Sequence, residues 1–112
     1  MLTSGDIVTL DLGLPEGSEA GLRRPAVVVT AGRVLRHGPR VVQVAPLTTT
    51  LRGYESEVTI ESDSSNGLAA TSAAQCQHIR VVATRRIQES AGNVGPLALS
   101  QIRDALAVLL DL

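Results

Sequence analysis

Pro25-Ala26-Val27-Val28-Val29-Thr30 decides the fold. It reads as a β-strand, and its nearly unbroken apolar run predicts burial on both faces. Upstream, Gly13 to Arg23 is rich in Gly, Pro, Ser and Glu and reads as a loop, long for a hairpin connection and so a candidate functional loop. Before it, Asp6-Ile7-Val8-Thr9-Leu10-Asp11-Leu12 alternates at several positions and reads as a first strand. Downstream, Ala31 to Pro39 reads as a basic loop with two glycines. Arg40-Val41-Val42-Gln43-Val44-Ala45 reads as a third strand, ended by Pro46.

The rest of the chain continues the pattern. Glu55 to Glu61 sets Val58 and Ile60 against Glu57, Thr59 and Glu61, which predicts a half-exposed strand. Ser62 to Gly67 is a turn cluster, His78-Ile79-Arg80-Val81-Val82 a last short strand, and Thr84 to Ile87 a short helical turn. Gly95-Pro96 opens a helix, with Gly as an acceptable N-cap and Pro at the first helical position. Leu99, Ile102, Leu106, Leu109 and Leu110 make its apolar stripe. Short strands followed by one terminal helix predict a mainly β fold with a C-terminal helix, a small curled sheet or half-open barrel. The 112 residues suffice for one domain over 1–112 and are too few for two.

Composition narrows the function. Tyr54 is the only aromatic residue, so the core must be Val, Leu, Ile and Ala, and burial against a second copy is attractive. Charges and glycines interrupt every apolar run short of a membrane span. The start, MLTSGDIV, does not read as a signal peptide, and Cys76 stands alone, so the expected compartment is the cytoplasm. The net charge is −1, yet all ten basic residues are arginine and no Asp or Glu lies between Ala20 and Tyr54. That distribution allows a positive face suited to a polyanion, and fits a solvated loop surface equally well.

No P-loop, dinucleotide fingerprint or metal-ligand spacing is present, so the chemistry expected is free of metal and organic cofactor. Two segments stand out. Gly17-Ser18-Glu19-Ala20-Gly21-Leu22-Arg23-Arg24-Pro25 puts an arginine where a loop joins a strand, and the following proline holds Arg24 extended. Its planar fork of donors suits phosphate oxygens, though a plain surface arginine fits the pattern too. Ala45-Pro46-Leu47-Thr48-Thr49-Thr50 places hydroxyls at a strand end, where they can donate to a phosphate or serve only as strand-end threonines.

The order GD-I-V-x-x-D-L, G-S-E-x-G-x-x-R-P-A-V-V-V, V-A-P-L-T-T, H-I-R-V-V and an amphipathic helix ending D-L resembles the MazF/PemK toxins over nearly the whole chain. That family consists of metal-independent endoribonucleases of type II toxin–antitoxin systems. The resemblance implies an SH3-like, CcdB/PemK-like β-barrel, a symmetric homodimer with single-stranded RNA across its interface, and inhibition by a partner antitoxin. It implies Arg24 and Thr48 as catalytic residues, with Ser18 and Glu19 in an RNA-binding loop. Arg23, Thr49, His78 and Arg80 join the expected RNA contacts. His78 stands where members commonly carry glutamine, a departure that bears on base preference.

The implied reaction is attack of the RNA's own 2′-hydroxyl on the adjacent phosphorus, with messenger RNA the expected target and arrested growth the outcome. Arg24 would stabilise charge on the phosphorane, and Thr48 would bond the phosphate or orient the attacking hydroxyl. Glu19 and His78 are both candidates for the base, and a structural histidine is the plainer reading of His78. Expected of the antitoxin is a disordered acidic tail covering a groove between Gly17–Arg24 and Arg33–Arg40. Two other readings stay open: a CcdB-like toxin that poisons gyrase without cutting RNA, and a non-catalytic nucleic-acid-binding barrel. The second lacks the aromatic platforms such domains usually offer.

Overall fold

The computed structural model describes residues 1–11 and 23–112. Strand β1 (Asp6–Asp11) pairs antiparallel with β2 (Arg23–Val28) on one side and β7 (Ile87–Asn93) on the other. Strand β2 pairs in turn with β3 (Val41–Thr48). The far edge of β3 is shared by two strands, β5 (Ser72–Gln75) toward its C-terminal end and β6 (Arg80–Ala83) toward its start. Strand β4 (Glu57–Ile60) pairs with β5 and completes a seven-stranded, mostly antiparallel sheet. Helix α2 (Gly95–Leu110) closes the chain.

Strand β2 is buried on both faces, as its apolar run predicts. Ala26, Val27 and Val28 have no exposed surface. Val27 joins Ile7, Leu47, Ile60, Ala74, Cys76, Ile102 and Leu106 in a core beneath α2. Ala26 and Val28 join Val8, Leu10, Val42, Val44 and Val82 in a second core on the opposite face. Alternation along the strand sends neighbouring residues to opposite faces, so the sheet separates two aliphatic cores. Of the α2 stripe, Leu99, Ile102 and Leu106 are buried, whereas Leu109 and Leu110 remain exposed. The helix starts one residue earlier than expected, with Val94 at the N-cap and Gly95, at φ +87°, as its first residue ahead of Pro96.

Four local expectations need correction. The stretch read as a loop after β2 contains one helical turn, α1 (Gly32–Leu35), pinned because Leu35 inserts into the second core. Strand β3 does not end before Pro46 but runs through it to Thr48. The Gln43 carbonyl accepts from the Val29 amide, so Gln43 directs its backbone at β2, and Pro46, three residues on, directs its nitrogen at the other edge. At that point the edge is vacated. Val44 faces Arg80 and Leu47 faces Ala74, and a 3₁₀ turn, Cys76–His78, takes up the extra length between β5 and β6. A missing N–H costs nothing where no acceptor stands opposite.

His78 therefore lies in this turn rather than in a strand, and the late strand starts at Arg80. Strands β5 and β7 went unread because Ser72–Gln75 and Ile87–Asn93 carry small or polar residues in place of a β-branched run. The expected turn at Thr84–Ile87 is present as a 3₁₀ turn over Thr84–Arg86. The Ser62–Gly67 turn closes on Asn66, 1% exposed, whose side chain accepts from the Asp63 and Leu68 amides and donates to the Glu61 carbonyl. Gly92 packs against that turn so closely that a Cβ there would lie 2.3 Å from the Ser65 carbonyl oxygen.

Candidate active site

Ala26 faces Pro46, Val27 faces Ala45 and Val28 faces Val44 across β2 and β3. The pairing ends at Ala26 and Pro46, and its register extended two residues aligns Arg24 with Thr48. Arg24 faces Leu10 on β1, and Thr48 faces Ala73 on β5, so the extended row runs Leu10, Arg24, Thr48, Ala73. Arg24 and Thr48 come from the two segments that the sequence singled out, and they lie toward the same end of β2 and β3. Arg24 is exposed and forms no ion pair with a described carboxylate. The Thr48 hydroxyl is half-buried and accepts a hydrogen bond from the Thr50 amide at 3.1 Å. With that lone pair occupied, its own O–H remains available to donate, as a phosphate oxygen requires.

The other expected residues are spread more widely. Arg23 faces Asp11 on β1 and, one residue from Arg24, directs its side chain to the opposite face of the sheet. Thr49 follows Thr48 and is exposed. His78 is exposed on the 3₁₀ turn beside the edge position vacated at Pro46. Arg80 faces Val44 and so shares the face of Arg24 and Thr48, but four residues along β3, roughly 13 Å away. Ser18 and Glu19 lie outside the described residues, as does most of the Gly13–Arg23 loop. The Arg33–Arg40 stretch sits at the far end of β2, a six-residue strand that alone spans roughly 17 Å. The loop side of the expected groove between Gly17–Arg24 and Arg33–Arg40 lies outside the described residues, apart from Arg23 and Arg24 at the other end of β2.

The residue that sequence reasoning missed is Glu57. Alternation with Val58 put it on a solvent-facing side, yet its side chain is 2% exposed. Three donors converge on Oε2: Arg52 Nη2 at 2.6 Å, Gln77 Nε2 at 2.6 Å and Gln75 Nε2 at 3.4 Å. Burial alone would raise this carboxyl's pKa, but the bonds from Gln77, Arg52 and Gln75, with the Arg52 charge, outweigh it and hold the group below the ordinary carboxylate value. Burial pushes the neighbouring Cys76 thiol up to about 11, with the Glu57 charge adding in the same direction. The signal available in the sequence was the presence of Arg52 five residues ahead and two glutamines around Cys76, which carries no direction without the register.

Among the described residues no group of three His, Cys, Asp or Glu could hold a metal ion. No helix among them is long and apolar enough to cross a membrane.

Residues 3–110 match the sequence profile of the PemK-like, MazF-like toxins of type II toxin–antitoxin systems. The chain belongs to this family. It is similar to endoribonuclease MazF9 of Mycobacterium tuberculosis, with 35% identity over 116 aligned positions covering 100% of this chain and 98% of the relative. Among solved structures it is similar to MazF in a MazE–MazF crystal structure from Deinococcus radiodurans, at a TM-score of 0.80 and 26% identity over 99% of this chain and 96% of that one. The Mycobacterium tuberculosis toxin MazF-mt6 superposes at a TM-score of 0.75 with 26% identity, over 96% and 97% of the two chains. Within this PemK/MazF fold, the seven-stranded sheet and terminal helix agree with the barrel-like architecture expected from sequence.

Proposed function

We propose that this chain is an endoribonuclease toxin that cuts single-stranded RNA without a metal ion, with Arg24 and Thr48 as its catalytic residues. The observation that carries the reading is their alignment toward the same end of β2 and β3. The nucleophile is the substrate's own 2′-hydroxyl. Its oxygen loses its proton as it bonds to the adjacent phosphorus, the P–O5′ bond breaks, the 5′-oxygen takes up a proton and leaves as a hydroxyl, and a 2′,3′-cyclic phosphate remains. What the protein must supply is charge stabilisation and orientation. The Arg24 fork donates to the non-bridging oxygens and stabilises the charge that builds on them. The Thr48 O–H donates to the same phosphate. Arg80, His78 and Thr49 extend the contacts to the RNA, and Arg23, Ser18 and Glu19 join them.

Purified chain incubated with single-stranded RNA in excess chelator is expected to yield cyclic-phosphate ends. Intact RNA under those conditions would end this reading and leave a non-nuclease, CcdB-like toxin as the better one.

The same reading extends to partners. The solved Deinococcus radiodurans MazF relatives include complexes with MazE, and we assign this toxin a cognate antitoxin with an acidic tail that folds as it binds. The exposed apolar end of α2, with Val108 83% and Leu110 53% exposed, supports a homodimer, which light scattering of the free chain reads directly. Residues 1–112 then act as one toxin domain in the cytoplasm, where its messenger RNA substrate is. The tail is placed over the Arg24–Thr48 rim, so RNA should compete with it and its association should slow as salt rises. Binding unaffected by bound RNA would place the antitoxin elsewhere.

A further inference from the structure

The cleavage chemistry leaves Glu57 unused, although it is a buried carboxylate near the reacting row. Glu57 faces Gln75, and Thr59, two residues on, faces Ala73, which in turn faces Thr48. Glu57 therefore stands two rows from the Thr48 row and on the same face of the sheet. Its chief partner, Arg52, comes from the connection that leaves β3 directly after Thr48. That connection is tied down at successive points. The Thr50 amide bonds the Thr48 hydroxyl, Arg52 Nη2 bonds Glu57, the Arg52 guanidinium lies 4.8 Å from the Tyr54 ring centroid, and the Glu57 amide bonds the Tyr54 carbonyl.

Stability alone does not account for this arrangement. Among the described residues, Glu57 Oε1 and Gln77 Oε1 are both buried and find no hydrogen-bond partner. A buried ionic network that leaves acceptors unsatisfied is a poor stabiliser, and an apolar replacement of similar volume often does as well. What the network does is fix the conformation of the segment that carries the Thr48 hydroxyl. We propose that Glu57 is a positioning residue for RNA cleavage: through Arg52 it holds the segment from Thr48 to Arg52 so that the Thr48 hydroxyl is presented beside Arg24. This rests on the reading of Arg24 and Thr48 as the reacting pair. Glu57 touches neither substrate nor reacting atoms, and its effect belongs in turnover rather than in binding.

The test uses Glu57→Gln, which keeps the shape and removes the charge, and Arg52→Met, whose side chain is 37% exposed in the native protein and can be replaced without opening the core. Cleavage of a single-stranded RNA oligonucleotide is followed in steady state for the full chain, both variants, their double combination and Arg24→Ala. Each single variant is expected to lose about tenfold in kcat with KM within about threefold of the wild-type value, and the double to lose no more than either single. Melting temperatures should stay within a few degrees, so that the loss is not one of folded protein. Wild-type kcat in folded Glu57→Gln, a loss confined to KM, or losses that multiply in the double variant would each overturn the proposal. Should Glu57→Gln fail to fold, Arg52→Met alone carries the same kcat-against-KM comparison. Failure of the wild-type chain to cut RNA, or full activity in Arg24→Ala, would instead overturn the site reading beneath it.

Discussion

Replacing Arg24 by alanine is expected to lower RNA cleavage by about 100-fold or more while the melting temperature stays nearly unchanged. The side chain is exposed at the end of β2 and contributes to neither core, so its removal leaves no cavity. The charge that builds on the phosphate in the transition state loses its donor fork, and water is a weaker substitute because it must reorient as the charge forms. Arg23 provides the control. One residue away, it faces Asp11 and the opposite side of the sheet. Arg23→Ala is expected to cost less than about tenfold, mostly in KM, since a remote phosphate contact acts on substrate and transition state alike. Comparable losses in the two variants, measured in one assay on one RNA, would show that the catalytic arginine has been placed wrongly.

Thr48→Ala is expected to lower kcat by roughly 10- to 100-fold with RNA affinity within about threefold of the wild-type value. The hydroxyl oxygen is held by the Thr50 amide, which leaves its O–H to donate to the phosphate. Alanine removes that donor and releases the Thr50 amide to water. Thr48→Ser is the discriminating companion, because serine keeps the oxygen and the bond to the amide but not the methyl group. Recovery of most of the activity by serine would tie the effect to the hydroxyl. An alanine variant as active as the native chain would remove Thr48 from the site.

Some of this was legible in the chain before any coordinates. The apolar run at Ala26–Val29 announced a strand buried on both faces, because only a strand between two cores can hide consecutive aliphatic side chains. Leu99, Ile102 and Leu106 announced the helix face that covers the sheet. Arg24 and Thr48 were legible as candidates through the arginine–proline junction and the hydroxyls after Pro46. Strand β7, by contrast, was hidden. Its sequence, IQESAGN, carries no apolar alternation, and it becomes a strand because β1 offers it an open edge of hydrogen-bonding groups.

The sequence by itself determined the element types with strong periodicity, the aliphatic nature of the cores and the chemical identity of the two candidate side chains. These are properties of local composition and spacing, and no distant residue can change them. The tertiary structure alone decided the register that aligns Arg24 with Thr48, the path of β3 through Pro46, and the burial of Glu57. Each of those depends on which strand lies alongside which. A proline is tolerated in β3 because its neighbour steps away there, and a glutamate with a charged strand's pattern is buried because Arg52, Gln75 and Gln77 arrive from other parts of the chain to meet it. Such pairings are long-range, and the cost of burying a charge is offset only when the partners are all in place.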